Sequence, residues 1–444
     1  MGTDGSKARS GTPPWTGGVA STHRRRSRSN QKSPSSGPPH ARPRRRPLRR
    51  SVLSPAATVR SPQQVSKFLV PEIVFGHGAM AEAGFAARRL DARRVFVVTD
   101  PGIIEAGWYD ELVGHLDDAG LPHSMWHGVT PNPKDHEVAD GFEAYLASGA
   151  DVVIGLGGGS VIDAAKAIAV LSTNGGSILD YEGVDRVTQA IPPLIMIPST
   201  SGTGADLSQF CVTTDTARRL KATLIGRALV PNISITDPRL LTTMPEELNA
   251  ATGLDALTHG IEAYVSKAAN ALTDVHALTA IRLVDANLLN TIDFPDEPAS
   301  RSGMAQASLE AGLAFTNAIL GATHAMSHQV GGALDLPHGV LNGVLLPHVI
   351  RFNACTDAER YVPIAQALGV RVEHMYAEEA AHAAADRVRD LADSVGVPKG
   401  LADLGVTEED IPFLSRNTLG DACLLTNPRD PSVDDVSDIF RAAL

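Results

Sequence analysis

Between residues 93 and 200 the hydrophobic period of the chain switches repeatedly, and this alternation constrains the fold more than any other feature. "RRVFVVTDPGI" is a β-branched apolar run closed by Asp-Pro-Gly, the pattern of a buried strand and its turn. "EAGWYDELVGHLDDAG" has helical period, "HSMWHGV" suits the next strand, and "HEVADGFEAYLASGA" is again helical. "DVVIGLGGGS" reads as a strand running into a glycine loop, "VIDAAKAIAVLST" as the helix after it, and "PPLIMIPST" as another short strand. Strands and helices alternating at these lengths predict an α/β domain with a parallel, Rossmann-like sheet. After about Pro238 the texture changes to long Ala/Leu-rich segments such as "ELNAATGLDALTHGIEAYVS" and "TDVHALTAIRLVDANLLNTI". We therefore expect an α/β dinucleotide-binding domain over residues 66–240 and an all-α domain over residues 241–444.

Ahead of these lies a segment of different physics. Residues 1–65 are rich in Ser, Pro, Gly and Arg and poor in large apolar side chains. Such a segment buries too little surface to offset its ordering entropy, and disorder is expected. Residues 1–60 carry 14 Lys/Arg against the single acid Asp4, which leaves 25 basic and 49 acidic residues for the rest. Three readings of the tail compete: an organelle transit peptide, a tail for nucleic acid or another anionic surface, or translation from a start codon assigned too early. The acidic body itself offers no footprint for nucleic acid. No run of about 18 uncharged apolar residues occurs, so no membrane span is expected. Cys211, Cys355 and Cys423 are widely spaced and form no CxxC pair, which fits a reducing compartment, the cytoplasm by default.

The glycine loop places Gly155, Gly157, Gly158, Gly159 and Ser160 between a strand and a helix. Glycines admit a ligand close to the backbone, and the helix that follows offers free N–H groups to phosphate. Ser160 stands where the GxGxxG fingerprint has its last glycine. A second polar-glycine loop, "IPSTSGTGAD", follows the next strand and supplies the hydroxyls of Ser199, Thr200, Ser201 and Thr203. Two such loops at successive strand ends suit the crevice at the carboxyl edge of an open sheet. Asp100 ends the first strand. It either initiates a turn, or accepts hydrogen bonds from the adenosine ribose and repels a 2′-phosphate, favouring NAD over NADP.

Asp255 and His259 are four apart on a helical pattern and so share a face; His324 and His328 repeat the spacing, and His338 follows after "LP". One carboxylate and three imidazoles can hold a first-row divalent metal. For each residue singly, the competing reading is a packed or surface side chain. Spacing leaves open whether His324 or His328 is the ligand, because both lie on one face.

The chain resembles the iron-containing (group III) alcohol dehydrogenase family from about residue 66 to its end. The resemblance rests on "GLGGGSVIDAAKAIA", "IPSTSGTGAD", "TDPRLLTTMP", "ATGLDALTHGIEAYVS", "AGLAFTNAILGATHAMSHQVGGALDLPHG" and "NPRDP", long motifs in the right order. It implies a dehydroquinate synthase-like architecture with the metal in the cleft between the two parts. It implies metal ligands at Asp255, His259, His324 and His338, and a non-ligand histidine at His328 that moves protons or seats the nicotinamide. Cofactor contacts are implied at Asp100, Gly157, Gly158, Gly159, Ser160, Asp163, Thr200 and Lys221. The family's usual "TTAGTGSE" reads "STSGTGAD" here, with Asp206 in place of Glu.

The chemistry so implied is reversible hydride transfer between an alcohol and NAD, with a divalent metal, Fe(II) in preference to Zn(II), acting as Lewis acid. An imidazole suits the departing proton, which points to His328. The expected partners are a small alcohol or aldehyde and further copies of the same chain. Rival readings are a related polyol dehydrogenase, a maleylacetate-type reductase, a regulatory protein that keeps the fold, and a nucleic-acid binder acting through its tail.

Overall fold

Most strands form at β-branched apolar runs, and glycine or Asp-Pro pairs end several of them. The computed structural model describes residues 67–444, so the readings of the basic tail lie outside the described residues. The strands in chain order are β1 (Glu72–Phe75), β2 (Val95–Val98), β3 (His123–Trp126), β4 (Val152–Gly157), β5 (Gly183–Val184), β6 (Leu194–Pro198), β7 (Phe210–Asp215), β8 (Leu220–Ile225) and β9 (Ile233–Thr236). Helices α1 (Ala83–Arg89), α2 (Pro101–Glu105), α3 (Trp108–Asp118), α4 (Asp135–Ser148) and α5 (Gly159–Asn174) run among them.

Six strands form one sheet in the order β1-β9-β6-β4-β2-β3, with every pairing parallel. Successive side chains on a strand point to opposite faces, and both faces are buried. Val95, Val97, Ile154 and Ile197 pack with α1 and α3 on one side. Phe96, Val98, Val153 and Met196 pack with α4 and α5 on the other. The chain steps outward from β2 to β3, then returns to lay β4 on the other side of β2. This reversal opens a crevice at the carboxyl ends of β2 and β4, where Asp100 and the glycine loop lie.

The strand pattern alone did not disclose the segment after β6. There β7 and β8 form an antiparallel hairpin joined by β5 in a separate three-stranded sheet, while β9 inserts between β1 and β6.

From Glu246 onward the described residues are helical, with 3-10 turns: α6 (Glu246–Val265), α7 (Ala271–Asp293), α8 (Pro298–Ala318), α9 (Ala322–Leu334), α10 (His338–Ala354), α11 (Tyr361–Ala367), α12 (Ala377–Ser394), α13 (Ile411–Thr418) and α14 (Val433–Ala442). Several of the starts carry their own side-chain caps. Asn270 accepts from Leu272 N and Thr273 N at α7, and Glu297 with Pro298 opens α8. Helix α6 is the axis of this half and is buried without a break from Asn249 to Val265. A helix enclosed on all sides must pair its polar groups internally, and α6 buries Asp255, His259 and Glu262. Among the described residues no helix is long and apolar enough to cross a membrane.

Candidate active site

The carboxyl ends of β2, β4 and β6 converge on a cleft of about 770 Å³, bordered by Asp100, Gly158, Gly159, Ser160, Thr200 and Met244. That size falls within the range of small-molecule and cofactor sites. Gly158 caps α5 without a side chain, so the first N–H groups of that helix have no intrahelical acceptor. A Cβ on Gly159 would lie 2.8 Å from Thr203 Cγ2, so the two loops touch and only glycine fits between them. Gly157 ends β4, and its carbonyl accepts from Ser199 N at 2.9 Å, tying the loops together behind the cleft. Asp100 Oδ1 caps α2 by accepting from Ile103 N while the residue borders the cleft, so the turn role and exposure to a ligand coexist. Thr200 Oγ1 is buried and has no partner, an orphan hydroxyl on the cleft wall. Free amides and an orphan hydroxyl suit a phosphate-bearing cofactor.

Inward, a chamber of about 140 Å³ is lined by Asp163, Lys221, Phe210, Phe315 and the histidines. Burial pushes the Asp163 carboxyl up to about 7 against the pull of Lys166 and Lys221. Burial likewise lowers the Lys221 ammonium, against the neighbouring carboxylates of Asp163 and Asp255.

At the junction of cleft and chamber, four side chains from three helices meet. Helix α6 supplies Asp255 and His259, α9 supplies His324, and His338 opens α10. The Nε2 atoms of His259, His324 and His338 lie 3.7, 3.5 and 3.7 Å from Asp255 Oδ1. A tetrahedral ion with bonds of about 2.1–2.2 Å would separate its ligand atoms by roughly 3.4–3.6 Å. The remaining ring nitrogens explain why Nε2 points inward. His259 Nδ1 donates to Gly202 O at 3.1 Å, and His324 Nδ1 to Glu262 Oε2 at 2.7 Å. Carbonyls and carboxylates only accept, so each Nδ1 carries a proton, and the neutral form of each ring has its lone pair on Nε2. Ser327 donates its hydroxyl proton to His324 O, so its oxygen can accept from His338 Nδ1 at 3.3 Å. The ligand atoms of Asp255, His259 and His324 lie within 4.8 Å of one another, a donor set for a divalent cation, and His338 Nε2 approaches the same carboxylate.

The electrostatics differ among the four groups. Burial would raise the Asp255 carboxyl, but the imidazoles around it prevail and hold it far below the usual range. Burial lowers His259 to about 4 and His338 well below the ordinary value. For His324 burial also opposes the charge, yet Asp255 and Glu262 outweigh it and lift the ring to about 9, so its Nε2 holds a proton that a bound cation would displace.

The structure therefore brings Asp255, His259, His324 and His338 together and turns His328 elsewhere. His328 borders the chamber, but its Nδ1 lies 2.9 Å from Asp421 Oδ2, leaving Nε2 as its remaining ring nitrogen. Spacing missed three neighbours. Glu262 lies three residues after His259 and was detectable as a carboxylate near that helix face. Asn342 donates to Asp255 Oδ1 at 2.8 Å, and it sits four residues after His338. Asp421 is 93 residues from His328 and left no local signal. Cys423 also approaches His328 and Asp421, and burial pushes its thiol well above the normal range.

Residues 71–238 match the family described as iron-containing alcohol dehydrogenase, and residues 249–444 match its C-terminal part. The 1,3-propanediol dehydrogenase of Citrobacter freundii is 39% identical over 379 residues, covering 85% of this chain and 98% of that protein. A crystal structure of 1,3-propanediol oxidoreductase superposes with a TM-score of 0.83 at 38% identity, covering 86% of this chain and all of the other. Sulfoacetaldehyde reductase from Bifidobacterium kashiwanohense, solved in complex with NAD+, gives a TM-score of 0.75 at 29% identity over 86% of this chain and 99% of its own. With both halves matched and the relatives spanned almost end to end, this chain belongs to the iron-containing alcohol dehydrogenase family and is an oxidoreductase.

Proposed function

We propose that the protein interconverts a small alcohol and its aldehyde or ketone, using NAD and one divalent metal ion, Fe(II) in preference to Zn(II). The observation that carries this reading is the convergence of three Nε2 atoms on Asp255 at the inner end of a cofactor-sized cleft. The family's description as iron-containing and the NAD+ held by the sulfoacetaldehyde reductase support it.

A divalent cation in this donor set supplies Lewis acidity, which lowers the pKa of an alcohol oxygen. NAD in the cleft supplies the hydride acceptor. The chain's own residues do the rest. The first N–H groups of α5, with Gly158, Gly159 and Ser160, hold the phosphates, and Thr200 adds its hydroxyl. Asp100 accepts from the adenosine ribose hydroxyls and disfavours a 2′-phosphate. Gly157 keeps the loop closed, while Asp163 and Lys221 line the nicotinamide end. His324 gives up its Nε2 proton to hold a divalent ion, and three neutral imidazoles with the single charge of Asp255 then leave the site net positive. His328 takes the departing proton at Nε2, with Nδ1 held by Asp421. Phe210 and Phe315 wall the chamber and exclude water.

The chamber, about 140 Å³, supports a small substrate. The relatives named for propanediol and sulfoacetaldehyde are consistent with short-chain alcohols and aldehydes here. The division of labour between residues 66–240 and 241–444 belongs to the same reading, as do homo-oligomerisation and a cytoplasmic location, the latter supported by three free cysteines.

The test is metal content per chain for wild type and Asp255→Ala, purified without air. About one iron or zinc per wild-type chain, lost together with turnover in the variant, is the expected outcome. A metal-free Asp255→Ala protein that keeps full activity would end the assignment.

A further inference from the structure

Helix α6 carries a second buried acid, which the proposed chemistry does not use. Glu262 is 3% exposed, yet among the described residues no Lys or Arg hydrogen-bonds or ion-pairs with it. A carboxylate this deep must accept several hydrogen bonds to remain charged. Its acceptors are filled by Gly321 N at 3.0 Å, Thr323 N at 2.6 Å and His324 Nδ1 at 2.7 Å. Burial alone would raise its pKa; the His324 and Thr323 contacts prevail and hold it low. The first two donors belong to the start of α9, whose cap residue Gly321 has no side chain of its own. Glu262 thus does two things at once. It caps the helix that carries His324, and it grips the His324 ring at the nitrogen opposite the donor set.

We propose that Glu262 is a positioning residue for the metal site, fixing the tautomer and ring plane of His324 and raising the donor strength of its Nε2. The inference rests on the metal reading above. Residues 255, 259 and 262 share α6, so one helix presents two donors of the set and orients a third on α9. A charged acceptor at Nδ1 draws that proton towards itself and makes Nε2 a stronger base. Loss of such a carboxylate typically weakens metal binding by about 10–100-fold.

A purely structural role must be separated from this one, and the fold provides the control. Asn427 Oδ1 accepts from Ala322 N at 3.0 Å, so it caps the same helix end, and His324 is not among its contacts. Zinc is titrated into the full-length chain, after removal of bound metal, against a chromogenic chelator, for wild type, Glu262→Gln and Asn427→Ala. Cobalt-loaded samples are examined by visible absorption. Glu262→Gln is expected to raise the zinc dissociation constant by about 10–100-fold and to shift the cobalt bands. Asn427→Ala is expected to lower the melting temperature with the zinc constant unchanged. Glu262→Asp keeps the charge but withdraws it by one methylene; it is expected to fall between, and decides the matter if the Gln variant does not fold. An unchanged constant in both Glu262 variants, or an equal loss in Asn427→Ala, would reduce Glu262 to a helix cap. Wild type that binds no zinc would overturn the metal reading itself, and this inference with it.

Discussion

His324 and His328 are chemically identical, share one face of one helix, and are proposed to do different work. Contacts separate them. His324 turns Nε2 to within 3.5 Å of Asp255, whereas His328 gives Nδ1 to Asp421 at 2.9 Å. The buried carboxylate accepts only, so the His328 proton sits on Nδ1 and Nε2 is the basic atom. We predict that His328→Ala retains its metal and loses turnover by about 10²–10⁴-fold, the range for one general acid–base group. Metal analysis beside steady-state rates checks this, and a variant stripped of metal would show that the two roles had been exchanged. No four-residue spacing could make the distinction, because the deciding partner lies 93 positions away.

At the scale of elements, the site depends on how closely the second loop approaches α6. A Cβ built on Gly202 would stand 2.1 Å from Thr252 O, closer than any real side chain could lie. The same close approach lets Gly202 O reach His259 Nδ1 at 3.1 Å. Gly202→Ala must push the loop away from the helix. We predict a loss of about 1–3 kcal/mol, the usual cost of forcing extra volume into a packed interior. The measurement is the urea midpoint, with the m-value held constant. A midpoint equal to wild type would mean that the loop yields freely and does not position His259. The glycine was legible as part of a loop, but its reason was not: the neighbour it must clear belongs to a helix 50 residues onward.

For the whole molecule, the cleft is bounded on one side by strand-end loops and on the other by helices α6 and α10. A ligand filling it touches both halves and stabilises them by mass action. NAD at 100 times its dissociation constant should add about 2.7 kcal/mol to the folded state, raising the melting temperature by a few degrees. NADP should do so less well, because Asp100 borders the cleft. Differential scanning calorimetry with each nucleotide tests both statements; no shift at millimolar NAD would count against the cleft as a nucleotide site. Much of this architecture was legible before any coordinates. Alternating periods specify a parallel sheet with helices on both faces because each period dictates which side chains share a surface, a local property of the chain. The change of texture near Pro238 and the glycine loops were readable for the same reason: each is written in neighbouring residues. Spacing left His324 and His328 open, and the set Asp255, His259, His324 and His338 was implied only by the resemblance of long motifs. The hairpin of β7 and β8, the insertion of β9, and the buried partners Glu262, Asn342 and Asp421 depended on contacts made only after folding. A buried polar group is satisfied by whichever atom the fold brings within about 3 Å of it, and sequence distance does not limit that choice.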